Sequence, residues 1–308
     1  MSLALSVLPI ILTITVGYLV VISGILPREG WDGTNTLNFN ILIPATLVHA
    51  IAAADLSHLT SVAWITALLV TLGIVVGVTI ALRFLINPGV LPNPAFTTLF
   101  QTTTRWNAFI ALAAAQQFIG ANGIALLALG MAILIPTINV TNIVVLVIFG
   151  TARTSAAQIV RSILRNPLVI GCVAGLLINV TGLQVPAPVM GSLDLISRAA
   201  LGMGLLAVGA GIALTRLLAW SWRVWAGVFL RLGLGPGVFI VLAIIFGLNV
   251  SETLAGVLIF AVPAAANGYI VAQRMGGDAD LYADIMTWQV LLSLALLPAW
   301  AALVHLVR

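Results

Sequence analysis

Two asparagines lie in similar surroundings, one in each half of the chain. Asn107 opens the stretch Asn-Ala-Phe-Ile, and Asn267 opens the stretch Asn-Gly-Tyr-Ile. The residues before each asparagine disfavour a continuous helix, because Pro263 lacks a backbone donor and Thr102–Thr104 are polar and β-branched. If both segments break here, two new helices begin near the asparagines, and their first backbone N–H groups favour an anion. This pattern predicts the binding of an anion by helix ends and amide side chains.

Arg105 stands beside the first break, two residues before Asn107. A guanidinium group can bind a carboxylate through two parallel hydrogen bonds. The alternative for Arg105 is that it binds a carbonyl at a helix end or extends toward water. The alternative for Pro263 is that it only kinks a continuous helix. The candidate substrate-binding residues are Asn107, Asn267, Arg105, Thr104, Pro263 and Ala264.

The composition places these residues in a membrane. Of 308 residues, 62% are hydrophobic and 6% are charged, whereas a soluble domain has about 25% charged residues. A water-soluble enzyme is therefore excluded. The twelve basic residues are all arginine and form no basic run, so no nucleic-acid partner is expected. The single cysteine, and the lack of any Ser/His/Asp set, metal-ligand spacing or phosphate loop, predict no enzyme activity, metal or cofactor.

The chain can be cut at polar and Gly/Pro clusters into ten apolar segments, each near the length that a spanning helix needs. Segments one to ten cover residues 3–26, 34–54, 59–85, 95–118, 123–149, 166–183, 187–214, 218–248, 251–275 and 281–307. We therefore predict an all-α membrane protein with a five-helix repeat in residues 1–150, a connection in 151–165 and a second five-helix repeat in 166–308. Because five is odd, homologous halves must be inverted relative to each other across the membrane.

The distribution of arginine predicts the orientation. Eight of the twelve arginines lie in or beside connections that share one side, and the opposite connections contain Asp55, His58 and Glu252 but no arginine. Because cytoplasmic loops retain positive charge, the connection in 151–165 is predicted to be cytoplasmic. Both termini are then outside, and the cell membrane lipids surround the protein.

Three glycine pairs have the spacing that lets membrane helices approach closely. Packing within the chain is the first interpretation, and a homodimer is the alternative. The pairs are Gly73/Gly77, Gly171/Gly175 and Gly233/Gly237.

Charged and polar residues inside segments raise the question of a coupling ion. Asp194 and Arg198 are four residues apart in segment seven, which favours an ion pair within one helix, and the alternative is a proton site at Asp194. Asn139 in segment five is a second candidate ion ligand. Arg231 in segment eight has no acidic residue within a turn, so its partner must come from another helix. Neither break contains an acidic residue, and coupling to H⁺, to Na⁺ or to no ion stays open.

Short motifs along the whole chain resemble the auxin efflux carrier family, whose bacterial members include proteins described as malonate transporters. They are Leu42-Ile43-Pro44-Ala45, Asn107-Ala108-Phe109-Ile110, Pro136-Thr137-Ile138-Asn139, Arg165-Asn166-Pro167-Leu168, Leu205-Leu206-Ala207-Val208-Gly209-Ala210 and Pro263-Ala264-Ala265-Ala266-Asn267-Gly268-Tyr269. The resemblance implies two inverted five-helix repeats with crossing, broken helices four and nine, similar to bile acid sodium symporters. It also implies a scaffold of helices one, two, six and seven and a transport domain of helices three to five and eight to ten. One departure is Ala113, where many relatives are expected to have proline.

The sequence therefore predicts a secondary transporter that moves a small organic anion, and the resemblance implies that it does so by elevator-like alternating access. Two alternatives remain at this point. One is a sodium-coupled symporter of the bile acid type, and the other is a membrane sensor or scaffold that binds a ligand without transporting it.

Overall fold

The computed structural model describes residues 3–27, 30–54, 62–150, 155–218, 220–265 and 267–308, and these ranges contain helices and no strand. The helices are α1 (Leu3–Ile22), α2 (Trp31–Leu37), α3 (Ile43–Ala52), α4 (Val62–Leu85), α5 (Asn93–Thr104), α6 (Ala108–Phe118), α7 (Ala121–Phe149), α8 (Ala156–Leu164), α9 (Pro167–Thr181), α10 (Ala187–Gly211), α11 (Trp222–Phe229), α12 (Gly235–Ile245), α13 (Val250–Ala261), α14 (Asn267–Met275) and α15 (Ala279–Val307). Two π-helical turns, Asn38–Leu42 and Leu230–Leu234, join α2 to α3 and α11 to α12. A 3₁₀ turn covers Leu214–Leu218.

Among the described residues, six helical stretches are long and apolar enough to cross a membrane. They coincide with predicted segments one, three, five, seven, eight and ten: Leu5–Ile22, Val62–Leu85, Ala121–Phe149, Ala187–Gly211, Trp222–Ile245 and Ala279–Val307. Segment two corresponds to α2, the first π turn and α3, and segment six to α9. Segments four and nine are each divided into two helices, α5 with α6 and α13 with α14.

The predicted polar connection in residues 151–165 contains a helix, α8. Its start is a capping box, because Ser155 Oγ accepts from the backbone N–H of Gln158 at 3.3 Å and Gln158 Oε1 accepts from that of Ser155 at 2.8 Å. The spacing Ser-x-x-Gln is typical of such a start, and the helix lies within the predicted connection.

The chain divides into two compact units by its internal contacts. Unit 1 consists of Met1–Ser61, Phe109–Pro136 and Val160–Ile212, and unit 2 of Val62–Ala108, Thr137–Ile159 and Ala213–Arg308.

Unit 1 packs through glycines. A Cβ atom at Gly17 would clash with the backbone of Leu206, and one at Gly209 with the backbone of Ile14, so α1 and α10 cross with their backbones in contact. Gly171 and Gly175 of α9 likewise pack against α3. Packing is therefore confirmed for this predicted pair. In contrast, a Cβ atom at Gly73 or Gly77 would meet no atom within 4 Å among the described residues.

Unit 2 is built around two short helices, α5 and α13. All ten residues from Ala95 to Thr104 are buried, and so are all ten from Glu252 to Ala261. Phe96 and Phe100 of α5 join a hydrophobic cluster that includes Ile285 of α15. Both buried helices end at the predicted breaks, which places these breaks in the interior of unit 2.

Candidate functional site

The two predicted helix breaks are both present, and they touch. α5 ends at Thr104 and is followed by Arg105, whose backbone is extended (φ −71°, ψ 149°). α13 ends at Ala261 and is followed by Val262, which is also extended (φ −84°, ψ 155°). The backbone N–H of Asn107 donates to the carbonyl oxygen of Pro263 at 2.8 Å. Residues 262–265 are not helical, so the alternative of a simple kink at Pro263 is wrong.

Arg231 joins the carboxyl ends of both helices. Its Nε donates to Val262 O at 2.7 Å, its Nη2 to Ile259 O at 2.5 Å and its Nη1 to Thr103 O at 3.1 Å. These carbonyls lie at the ends of α5 and α13, where no helical N–H is available to them. A cation is also favoured at the negative end of a helix dipole. The partner of Arg231 comes from other helices, as predicted, and it is backbone carbonyl groups.

Gln289 and Tyr282 of α15 supply further hydrogen bonds to the breaks. Gln289 Oε1 accepts from the Ala264 N–H at 2.8 Å, while its Nε2 donates to Thr102 O at 3.2 Å and to Gly227 O at 2.9 Å. Tyr282 donates through its hydroxyl to Ala265 O at 2.6 Å. Non-helical backbone inside a membrane protein requires such partners, and here side chains of unit 2 provide them.

Thr104 is bound from α7. Its hydroxyl donates to Phe100 O at 2.7 Å and accepts from Asn142 Nδ2 at 2.9 Å. Asn142 is fully buried, whereas Asn139, the predicted ion ligand one turn earlier, is partly exposed. The structure thus brings Asn142 to the end of α5, and no hydrogen bond of the Asn139 side chain is found among the described residues.

Arg105 has no partner in the part of the chain that the structure describes. Its Nε is buried and makes no hydrogen bond there, and its guanidinium belongs to no ion pair there. Trp106 and Asn107 beside it are 7% and 4% exposed. The neighbourhood of the breaks holds two guanidinium groups, Arg105 and Arg231, and the three ion pairs of the described residues involve neither. A partly buried cation with a buried, unpaired Nε favours an anionic ligand.

The remaining predicted residues lie as follows. Pro263 and Ala264 are buried at the second break. Asn267 begins α14, but its side chain lies outside the described residues. In unit 1, Asp194 and Arg198 form the expected ion pair along α10 at 2.6 Å, with side-chain exposures of 35% and 77%.

Three residues of this site, Gln289, Tyr282 and Asn142, had no role predicted from the sequence. Their signal is a polar side chain within a long apolar helix, which is costly in a membrane unless it has a partner. Such a signal identifies candidates, but the partner depends on which helices meet. The described residues contain no group of three or more His, Cys, Asp or Glu side chains that could hold a metal ion.

Comparison with known proteins adds the family. No curated protein matches the chain at a significant level. The model of the family described as membrane transport protein matches residues 3–149 and 151–301. These two stretches cover almost all of the chain, and the part of the chain that the structure describes has six helices that suit a membrane span. The protein therefore belongs to the membrane transport family of the auxin efflux carriers and is a multi-pass membrane transporter.

Proposed function

We propose that the protein is a secondary transporter of the cell membrane and that its substrate is a small organic anion with a carboxylate group. The observation that carries this proposal is Arg105 beside the two helix breaks: the residue is partly buried, its Nε is buried, and this Nε has no hydrogen-bond partner among the described residues. Arg231 already donates to three carbonyl oxygens, so its guanidinium is less available to an anion than that of Arg105. A carboxylate at Arg105 would supply the missing acceptor in a fork geometry.

Two features of the fold support transport by an elevator-like movement. Unit 2 contains both breaks and the residues that hold them, while unit 1 contains predicted helices one, two, six and seven. We propose that unit 2 carries the substrate and that unit 1 is the scaffold. Residues 109–136, which were assigned to the transport domain from the sequence, pack with unit 1. The two family matches, one in each half, support the proposed pair of inverted five-helix repeats.

We propose that the termini are outside the cell and that α8 is cytoplasmic, since the arginines concentrate in the connections on that side. A thiol reagent that cannot cross membranes should label Gln158→Cys, an exposed position of α8, only after the cells are opened. Labelling in intact cells would show the opposite orientation.

The coupling ion is identified by measuring flux under imposed gradients. Flux driven by a Na⁺ gradient favours a sodium symporter, and flux driven by a pH gradient favours proton coupling.

The site is tested by neutralising Arg105. Purified protein in proteoliposomes should take up radiolabelled carboxylates, and Arg105→Gln should lower uptake at least tenfold, because the charge-assisted hydrogen bonds to the carboxylate are lost. Arg161→Gln is the matched control: it removes the same charge from an exposed position of α8 and should leave uptake unchanged. Asn267→Leu, chosen from the sequence alone, should also abolish uptake.

Unchanged uptake by a folded Arg105→Gln variant would overturn the assignment of the anion site. Ligand binding by the wild-type protein without flux under any gradient would favour a membrane sensor instead of a transporter.

A further inference from the structure

Gln101 of α5 is a fully buried amide without a hydrogen-bond partner. Its relative exposure is 0%, and neither Oε1 nor Nε2 makes a hydrogen bond to any described residue. Buried polar groups in native proteins are almost always hydrogen-bonded, and an unpaired one lowers stability. Nearby backbone groups of the same helix end are paired, since Thr102 O and Thr103 O both accept from side chains. Gln101 therefore differs from its neighbours, because its side chain lacks a hydrogen-bond partner among the described residues.

Two more unpaired polar atoms lie on the helices around Gln101. Arg105 follows it by four residues, which places both side chains on one face of α5 with Cβ atoms about 5–6 Å apart. The Nε of Arg105 is buried and unpaired, as is Oδ1 of Asn142 on the neighbouring helix α7.

Two side-chain contacts join α7 to α5, one on either side of Gln101 along α5. At one end Asn142 donates to Thr104 at 2.9 Å, and at the other the ring of Phe149 lies 5.0 Å from that of Phe96. Gln101 lies between these two contacts along α5. The arrangement offers two unpaired donors, Arg105 Nε and Gln101 Nε2, and two unpaired acceptors, Gln101 Oε1 and Asn142 Oδ1.

A simple carboxylate fits only half of this arrangement, because an ionised carboxylate accepts hydrogen bonds and donates none. It would pair with the two donors and leave the two acceptors buried and unpaired. A hydroxyl group on a carbon next to the carboxylate supplies a donor for one of these acceptors, and an amino group can supply donors for both.

We propose that Gln101 and Asn142 form a specificity site for a hydrogen-bond donor on the substrate, so that the preferred substrate is a hydroxy- or amino-substituted carboxylate. This inference rests on the proposed function, in which Arg105 binds the carboxylate. A site built to hydrogen-bond a hydroxyl rejects the analogue that lacks it, because its own polar groups are then left unpaired.

The test compares matched ligands that differ in one hydroxyl group. Binding is measured by thermal shift and by competition for uptake, with three pairs that span size and charge: lactate and propionate, malate and succinate, mandelate and phenylacetate. For at least one pair, the wild-type protein should bind the hydroxylated member about tenfold or more tightly, as expected when its absence leaves buried groups unpaired.

The variant Gln101→Met retains the length of the side chain and removes its hydrogen-bonding atoms. It should reduce the preference within a pair to about twofold or less, because the loss of the Oε1 acceptor affects only the hydroxylated member, whereas the loss of the Nε2 donor weakens both members alike. Its melting temperature without ligand should be unchanged or raised, because unpaired polar atoms have been removed. Thr71→Val is the matched control: the Thr71 hydroxyl is also buried and unpaired, but it lies on α4, and its replacement should change neither binding nor preference.

The outcomes separate the inference from the proposed function. If the wild-type protein binds both members of every pair equally, the inference is wrong and the anion site stands. If Gln101→Met weakens both members of a pair to the same extent, Gln101 only positions Arg105 or holds water, and the inference is again wrong. If the wild-type protein binds no carboxylate, the proposed function falls together with the inference. The wild-type comparison does not depend on the folding of a variant. Asn142→Leu is a second test, because it removes the unpaired acceptor on α7.

Discussion

Three arginines inside apolar segments perform three different tasks. Arg198 is exposed and paired with Asp194 along one helix, so its charge is neutralised locally. Arg231 is buried and donates to three carbonyl oxygens of two helix ends. Arg105 is left with a buried, unpaired Nε within the described chain. The same residue type thus forms an ion pair, caps two helices and presents an unpaired donor, and only the last arrangement leaves the cation available to a ligand.

Replacing Arg231 should weaken the structure of unit 2 as a whole. Arg231→Met leaves three buried carbonyls without donors, and each unpaired group costs about 1–3 kcal/mol. We expect a loss of about 3 kcal/mol or more and a clear fall in melting temperature, measured by thermal denaturation in detergent. Arg231→Lys should recover only part of this loss, because one ammonium nitrogen replaces three nitrogens that reach two helices. Arg161→Met on exposed α8 is the control, and an equal effect of both Met variants would show that Arg231 does not hold the breaks.

The residues predicted from the sequence and the residues missed differ in how far their partners lie along the chain. Pro263 and the Thr-rich run before Asn107 signal a break by their own backbone chemistry, and both breaks are found. Gln289 could not be assigned in this way, because its partner Thr102 is 187 residues away. Its role depends on the packing of α15 against α5, and a local sequence pattern does not predict which helices pack together.

At the scale of helices, proline explains two features that the apolar pattern does not reveal. Each π turn ends directly before a residue pair that contains proline, Ile43-Pro44 in the first case and Gly235-Pro236 in the second. Pro236 cannot donate to Leu232 O, the acceptor four residues earlier. Trp300 Nε1 donates to this carbonyl instead, at 3.0 Å. A proline in an apolar segment therefore predicts a local change of helix geometry, while the side chain that takes over the freed carbonyl follows from packing.

Glycine spacing predicts close packing only where a second helix is present. Gly209→Ala should destabilise unit 1 by about 1–3 kcal/mol, since the added methyl group would clash with the backbone of Ile14 and force α1 and α10 apart. Gly73→Ala should be neutral or stabilising by up to about 1 kcal/mol, because alanine favours the helix and no described atom lies within 4 Å of the new Cβ. Thermal denaturation of the two variants compares them directly. If Gly73→Ala were the more damaging change, its helix face would pack against a surface outside these contacts, such as a second copy of the protein.

At the scale of the whole molecule, most of the buried polar side chains of the described residues belong to unit 2. The breaks and the residues that hold them all belong to this unit. Directly after the boundary at Ile212, Arg216 binds Asp280 at 2.9 Å and Asp284 at 3.1 Å, which anchors the entry of the chain to α15. The hydrogen bond to Asp280 raises the pKa of Arg216 above its ordinary value, so this guanidinium stays charged at any physiological pH. The proposed movement of unit 2 as one body requires such internal connections to persist while the units change position.

Distance measurements between spin labels test this proposed movement. Labels on cysteines introduced at exposed positions, in a Cys172→Ala background without other cysteines, report one distance within each unit and one between them. Leu85 with Ile245 covers unit 2, Ile25 with Leu183 covers unit 1, and Leu195 with Ile245 joins the two units. Addition of a transported carboxylate should shift the populations of the distance between units and leave both internal distances unchanged, because rigid bodies move while their packed interiors persist. A change within unit 2 as large as the change between units would mean that the two breaks rearrange separately, and transport would then have to proceed by local opening at the site.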